Sequence, residues 1–212
     1  MSENEKYYTG KENLEVMKDA KNYNNFLFNL IYNAIELHSK QSIIVDFGAG
    51  LGTFAKTISE KYKENKLICI ETDPNFKQIL TEQGLSVLDD INKLPDNSIT
   101  FLYSLNVLEH IKDDEDILRL WFKKLAPNGR ILIYVPAFNI LYTSLDKLVG
   151  HFRRYTKKEL NDKLIKAGFD VKKIRYADCM GYFASLIFKY FGNNNGSINP
   201  RLLHIFDRLV FL

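Results

Sequence analysis

Three groups of residues have the types and spacing to do chemistry. Asp46-Phe47-Gly48-Ala49-Gly50-Leu51-Gly52 joins one carboxylate to three alternating glycines. Glycine lets a ligand lie against bare backbone and reaches dihedrals that other residues avoid. The stretch follows the apolar run Ile43-Ile44-Val45 and precedes a helix-like segment from Thr53. Strand, glycine turn and helix start in that order make a cofactor cradle. The glycine spacing is G-x-G-x-G, whereas a dinucleotide turn expects G-x-G-x-x-G. Glu71, at the end of the next apolar run, can accept hydrogen bonds from both ribose hydroxyls of an adenosine ligand. The second group is His110 and His151, whose side-chain type suits proton transfer near neutral pH. The third is the string Gly150-His151-Phe152-Arg153-Arg154-Tyr155, which sets two guanidinium groups beside one of those histidines.

Alternating elements must position these residues. The pattern predicts strands at 42–47, 66–71, 85–88, 98–104 and 130–135 and helices at 53–63, 74–83 and 113–126. The nearly unbroken apolar runs Ile43–Val45 and Ile131–Val135 suit parallel strands buried on both faces. The fold class is therefore α/β, a Rossmann-like open and mostly parallel sheet flanked by helices. Residues 11–38 read as helical, and 1–40 as an N-terminal helical lid or an ordinary surface helix with a frayed end. Pro127-Asn128-Gly129 marks the turn into the fifth strand, Thr156 caps a helix, and 170–177 reads as a further strand.

In this order and spacing the motifs resemble the first motifs of the class I S-adenosylmethionine-dependent methyltransferases, in their small-molecule branch. That resemblance implies S-adenosyl-L-methionine as cofactor, bound by Asp46, Gly48, Ala49, Gly50, Gly52, Glu71 and Thr72. It also implies an acidic residue after the third strand for the adenine amine. Asp90 fits that place, because Asp90-Ile91 precedes Leu94-Pro95 at the family's spacing, with Ile91 against the ring. The alternative for Asp90 is a plain helix cap. Ser104-Leu105-Asn106-Val107-Leu108-Glu109-His110-Ile111 resembles the motif after the fourth strand. There Asn106 is implied near the methionine end of the cofactor, with Glu109 and His110 toward the acceptor. The family's sheet normally ends in an antiparallel hairpin, and no clear final strand follows 170–177 unless 183–188 supplies it.

On the acceptor side, residues 136–156 read as an insertion within a methyltransferase domain of 41–212, forming a lid over the acceptor. His151 is the first candidate for a general base and His110 the second. Tyr142, Arg153 and Tyr155 are the candidate substrate contacts, with arginine suited to an anionic group. Alternatively His151, Arg153 and Arg154 pin the loop to Asp146 or to helix ends, a reading stronger for Arg154. The expected reaction is methyl transfer to a small molecule, at a hydroxyl of a sugar, a lipid-linked substrate or a secondary metabolite. A nicotinamide-dependent oxidoreductase and a catalytically silent S-adenosylmethionine-binding module are the competing functions.

Composition narrows the partners. With 29 basic and 26 acidic residues among 212, the net charge of +3 is too small and too dispersed for a nucleic-acid surface. Two cysteines make neither a disulfide framework nor a zinc set. The run Asp113-Asp114-Glu115-Asp116 starts a helix, where acidic residues suit the dipole, so no metal is expected. No apolar leader follows a basic start, which gives the expectation of a cytoplasmic protein, monomeric or homodimeric. The apolar segments 182–191 and 200–212 read as core or dimer interface ahead of membrane-surface contact.

Overall fold

The computed structural model describes residues 15–35, 42–177 and 207–208. Five strands are present: β1 (Ile43–Phe47), β2 (Lys66–Ile70), β3 (Ser86–Leu88), β4 (Ile99–Leu105) and β5 (Leu125–Tyr134). The helices are α1 (Lys21–Ala34), α2 (Ala55–Lys61), α3 (Pro74–Glu82), α4 (Asp114–Lys124), α5 (Ser144–Leu148) and α6 (Lys157–Lys166). All strand pairings are parallel, in the order β3-β2-β1-β4-β5. The expected open α/β sheet is there. The described residues fall into two compact units. One holds Phe28–Val107 and Arg119–Tyr134 and contains the whole sheet; the other holds 15–27, 108–118, 135–177 and 207–208.

The sheet is covered on both faces, and β1 shows why. Ile44 and Val45 are adjacent, so they point to opposite faces, and both are fully buried. On one side Ile44, Leu67, Cys69, Phe101 and Tyr103 pack with Ile31 of α1, Ala55 and Ile58 of α2 and Leu80 of α3. On the other, Phe47 meets the buried ring of Trp121 from α4 edge-on at 4.8 Å. Each such side chain contributes roughly 1.5–3 kcal/mol on burial. Strand order reverses beside β1, which lies between β2 and β4. Ligands of open α/β sheets bind outside the strand ends at such a switch point. The glycine turn leaves β1 there, and Asn106-Val107 leaves β4.

Two boundaries differ from the sequence expectation. Helix α4 stops at Lys124 because Leu125 already pairs with Ile99 and the Lys124 Nζ donates to the Leu94 carbonyl at 2.6 Å. Asn128 then turns at φ 63°, and regular pairing resumes from Arg130 opposite Phe101. A Cβ on Gly129 would lie 2.7 Å from the Ile99 carbonyl oxygen, so this close approach requires glycine. Residues 171–177, within the expected strand at 170–177, pair with no described strand. A ladder needs a neighbour, and the hairpin partner suggested for it, 183–188, lies outside the described residues. So do 1–14 and 36–40 of the lid reading, the apolar segment 182–191, and 200–206 and 209–212 of the last one.

The second unit is tied together by buried carboxylates. Asp114, 4% exposed, accepts from the Tyr155 hydroxyl at 2.8 Å and pairs with Arg153 at 2.9 Å and Lys163 at 2.8 Å. Burial works to raise its pKa, but the bonds from Lys163, Tyr155 and Arg153 carry it below the usual range. Pro136–Phe138 runs beside Tyr155, joined by two backbone hydrogen bonds of 3.0 Å. Thr156 caps α6 as expected, in a reciprocal capping box with Glu159. Asp207 accepts from the amides of Asn22 at 3.0 Å and Tyr23 at 2.8 Å, which caps α1 from the far end of the chain.

Candidate functional site

Alternating glycines shape the turn after β1. Gly48, Gly50 and Gly52 have φ of 79°, 51° and 73°, the left-handed region that side chains avoid. At Gly48 there is a second constraint, since a Cβ would sit 2.3 Å from Val107 Cγ2. Gly48→Ala is therefore expected to lower stability by about 2–4 kcal/mol, from strain plus overpacking. Urea unfolding measures it, and a change below about 0.5 kcal/mol would contradict the geometry.

The amides of this turn are engaged inward. Gly48 N and Ala49 N both donate to the Ile70 carbonyl, at 2.8 and 3.3 Å, and Gly52 N donates to Ala49 O at 2.9 Å. Gly50 N donates to Glu71 Oε2 at 2.8 Å. Glu71 Oε1 accepts from Thr72 N at 2.8 Å and Asp73 N at 2.9 Å. Three amides thus fix this carboxylate at the end of β2, and a carboxylate has about four acceptor directions. Asp73 in turn caps α3 through Asn75 N at 2.8 Å. Turn, carboxylate and helix start form one hydrogen-bonded piece. It presents a rigid acidic acceptor and glycine surface rather than a row of free donors.

Asp46, 5% exposed, accepts from the Tyr103 hydroxyl at 2.8 Å. Burial pushes its pKa up to about 7, with the Tyr103 bond opposing and the charge of Glu71 reinforcing the shift. The folded chain therefore holds a proton that the unfolded chain, near 3.8, has released. Asp46's contribution is full below about pH 4 and is lost as pH rises through about 7. Urea unfolding of wild type and Asp46→Asn should show the wild type losing a few kcal/mol relative to the variant across that window. Parallel pH profiles would contradict the assignment.

The remaining cradle candidates lie in the same unit. Asp90 caps the turn Ile91–Lys93, accepting from Asn92 N at 2.8 Å, so the capping alternative is realised at that residue. Ile91 is buried. Asn106 takes a left-handed φ of 53°, and its amide donates to Tyr134 O at 2.8 Å.

The second unit brings His110 and His151 together, their rings edge to face at 4.5 Å. Asp146, 1% exposed, accepts from His151 Nδ1 at 2.7 Å, from Arg154 Nε at 2.8 Å and Nη2 at 2.9 Å, and from Thr143 N at 2.8 Å. Burial works to raise its pKa, but the hydrogen bonds from His151 and Arg154 carry it well below the usual carboxylate range. An ionised carboxylate only accepts, so Nδ1 carries a proton, and the uncharged tautomer with that bond has its lone pair on Nε2. Glu109 lies 3.8 Å from that Nε2 and is 0% exposed. Neither of its carboxyl oxygens makes a well-formed hydrogen bond among the described residues. Burial pushes its pKa up to about 8, opposed by its own backbone and reinforced by the charge of Asp146. Burial and the neighbouring His151 push His110 down to about 4, while its bonds to the backbone of Gly150 and Val149 work against that shift.

The three substrate candidates are held by protein groups. Tyr142 donates to the His151 carbonyl at 2.5 Å. Arg153 donates to the carbonyls of Ile111 at 2.9 Å and Lys112 at 2.7 Å besides pairing with Asp114. Tyr155 is buried on Asp114. Sequence reasoning missed Asp114 as the anchor of Arg153 and Tyr155, because a run of acids at a helix start was read only as suiting the helix dipole. Glu109 was placed toward the acceptor with His110, but its full burial beside His151 was not read. A carboxylate directly preceding a histidine just past a strand end was the available signal.

Comparison with known proteins identifies the family of the chain and the fold. A family model described as a methyltransferase domain matches residues 20–174. Phosphoethanolamine N-methyltransferase 1 of Arabidopsis thaliana is 32% identical over 99 residues, 42% of this chain and 20% of the relative. The matched stretch is thus a fifth of that relative's length. Among solved structures, phosphoethanolamine N-methyltransferase 2 of Haemonchus contortus, in complex with S-adenosyl-L-methionine, superposes with a TM-score of 0.60 at 16% identity, covering 76% of this chain and 40% of that one. The cyclopropane synthase MmaA2 of Mycobacterium tuberculosis gives 0.59 at 15%, covering 69% and 61%. At these identities the structural likeness shows the fold.

Proposed function

This chain belongs to the methyltransferase-domain family, and from that premise we propose that it transfers a methyl group from S-adenosyl-L-methionine to a hydroxyl of a small-molecule acceptor. The observation that carries the cofactor reading is the hydrogen bonding of the glycine turn. A dinucleotide needs free amides for its pyrophosphate, whereas here the amides of Gly48, Ala49, Gly50 and Gly52 are spent inside the protein. What the turn offers is glycine surface and the carboxylates of Asp46 and Glu71, which suit a sulfonium nucleoside without phosphate. Glu71 takes the ribose, Gly48 to Gly52 with Thr72 line the nucleoside, Asp90 and Ile91 serve the adenine, and Asn106 the methionine end. The bound cofactor supplies an already activated methyl group.

The protein's remaining task is alignment and removal of the acceptor proton. As the oxygen–carbon bond forms and the sulfur–carbon bond breaks, the hydroxyl proton must leave. The bare Nε2 of His151, oriented by Asp146, is the group assigned to activating that hydroxyl, with His110 beside it. Tyr142, Arg153 and Tyr155 hold the loop that carries His151. A second reading, with an amine as acceptor, draws on the 32% identity to a phosphoethanolamine N-methyltransferase. Incubation with methyl-labelled cofactor and a panel of hydroxylated and amine metabolites tests both. Label on oxygen supports the proposal, and label on nitrogen alone transfers it to the second reading. Cofactor binding without transfer to any acceptor would favour a silent binding module.

A further inference from the structure

We propose that Glu109, His110 and His151 form a binding site for one first-row divalent cation. This deepens the reading of His151 above and rests on it: the Nε2 lone pair becomes a ligand of the cation, the cation lowers the pKa of an acceptor hydroxyl bound to it, and the released proton passes to solvent water as the methyl group is transferred. The three side chains each present a ligand atom, and those atoms lie within 4.8 Å of one another. Around a cation with bonds of about 2.1 Å the ligand atoms stand roughly 3.4 Å apart. Glu109 and His151, at 3.8 Å, are already close to that spacing.

Two independent features point to a ligand at this place. The first is Glu109 itself, a carboxyl with no exposure and no well-formed hydrogen bond among the described residues. Leaving such a group unpaired is costly, and a cation beside it removes the cost. The second is the outer support of the histidines. Metal-ligating histidines usually donate their other ring N–H to a carboxylate or backbone carbonyl. His151 donates Nδ1–H to Asp146 at 2.7 Å, and the His110 ring hydrogen-bonds to the backbone at Val149 and Gly150. A plain ion pair explains the cluster less well, because 3.8 Å is too long for a hydrogen bond between Glu109 and His151. Two imidazoles and one carboxylate suit zinc, manganese, iron or cobalt in the divalent state, with a position left for an oxygen ligand.

The test uses the full chain, free of any histidine tag and stripped with chelator. Titration with Zn2+ should show one site per chain, and Co2+ should give a visible d–d absorption spectrum. In Glu109→Gln and in His110→Asn the affinity should fall about tenfold or more and the cobalt spectrum should change. S-adenosylhomocysteine titrations of the same samples report folding and the cofactor site separately, and should stay within about twofold of wild type. Absence of a site in wild type overturns the proposal, and so does Zn2+ binding that both variants retain. Either result returns His151 to direct proton acceptance and leaves the cofactor reading standing. Loss of S-adenosylhomocysteine binding by wild type would instead sink that reading alone.

Discussion

Glu71→Ala is expected to weaken S-adenosylhomocysteine binding by about a hundredfold or more while the chain remains folded. A hydrogen bond to a charged acceptor is worth roughly 1.5–3 kcal/mol, so losing the ribose contact alone costs about tenfold to a hundredfold. The second part of the effect is local. Glu71 is also the acceptor for the amides of Gly50, Thr72 and Asp73, so its removal frees the turn that shapes the cradle. Calorimetric titration measures the affinity, and circular dichroism checks the fold. Affinity within threefold of wild type would remove Glu71 from the sugar site.

His151→Ala is expected to lower kcat by about a hundredfold to ten-thousandfold, the usual weight of a group that activates the acceptor hydroxyl, directly or through a bound cation. Cofactor affinity should change by less than twofold. The argument lies in how the ring is held. A carboxylate, buried and well below its normal pKa, accepts Nδ1–H, so the ring is fixed in one tautomer and one orientation with Nε2 bare. Turnover with labelled cofactor, on whichever acceptor the panel identifies, gives the number. A variant with wild-type kcat would show that the acceptor loses its proton without His151.

How much of this was legible beforehand follows from what a sequence encodes locally. The glycine turn was, because a demand for φ of 79°, 51° and 73° is written directly as glycine at alternate positions. The five parallel strands were, because burial on both faces leaves continuous apolar runs such as Ile43–Val45. Thr156 was, through its capping box with Glu159. Pairings across long separations were not. Tyr103 meets Asp46 only through strand register, and the bonds of Asp114 to Arg153 and Tyr155 join residues about 40 positions apart in the chain. Asp146 could be read as a pin for the loop, as its bonds to Arg154 show, but not as the group that sets the His151 tautomer. A strand at 170–177 needs a neighbour, and the partner suggested for it, 183–188, lies outside the described residues.

The resemblance reached the family through motif order, and the family model matches residues 20–174. The acceptor remains the finer matter, because loops decide it while the sheet stays constant. The cofactor assignment is the base on which the acceptor chemistry and the cation site are built. Titration calorimetry of the purified chain with S-adenosylhomocysteine and, separately, with NAD tests it most directly. The account predicts saturable one-to-one heat from the first and none from the second, and heat from NAD, or silence with both, would contradict it.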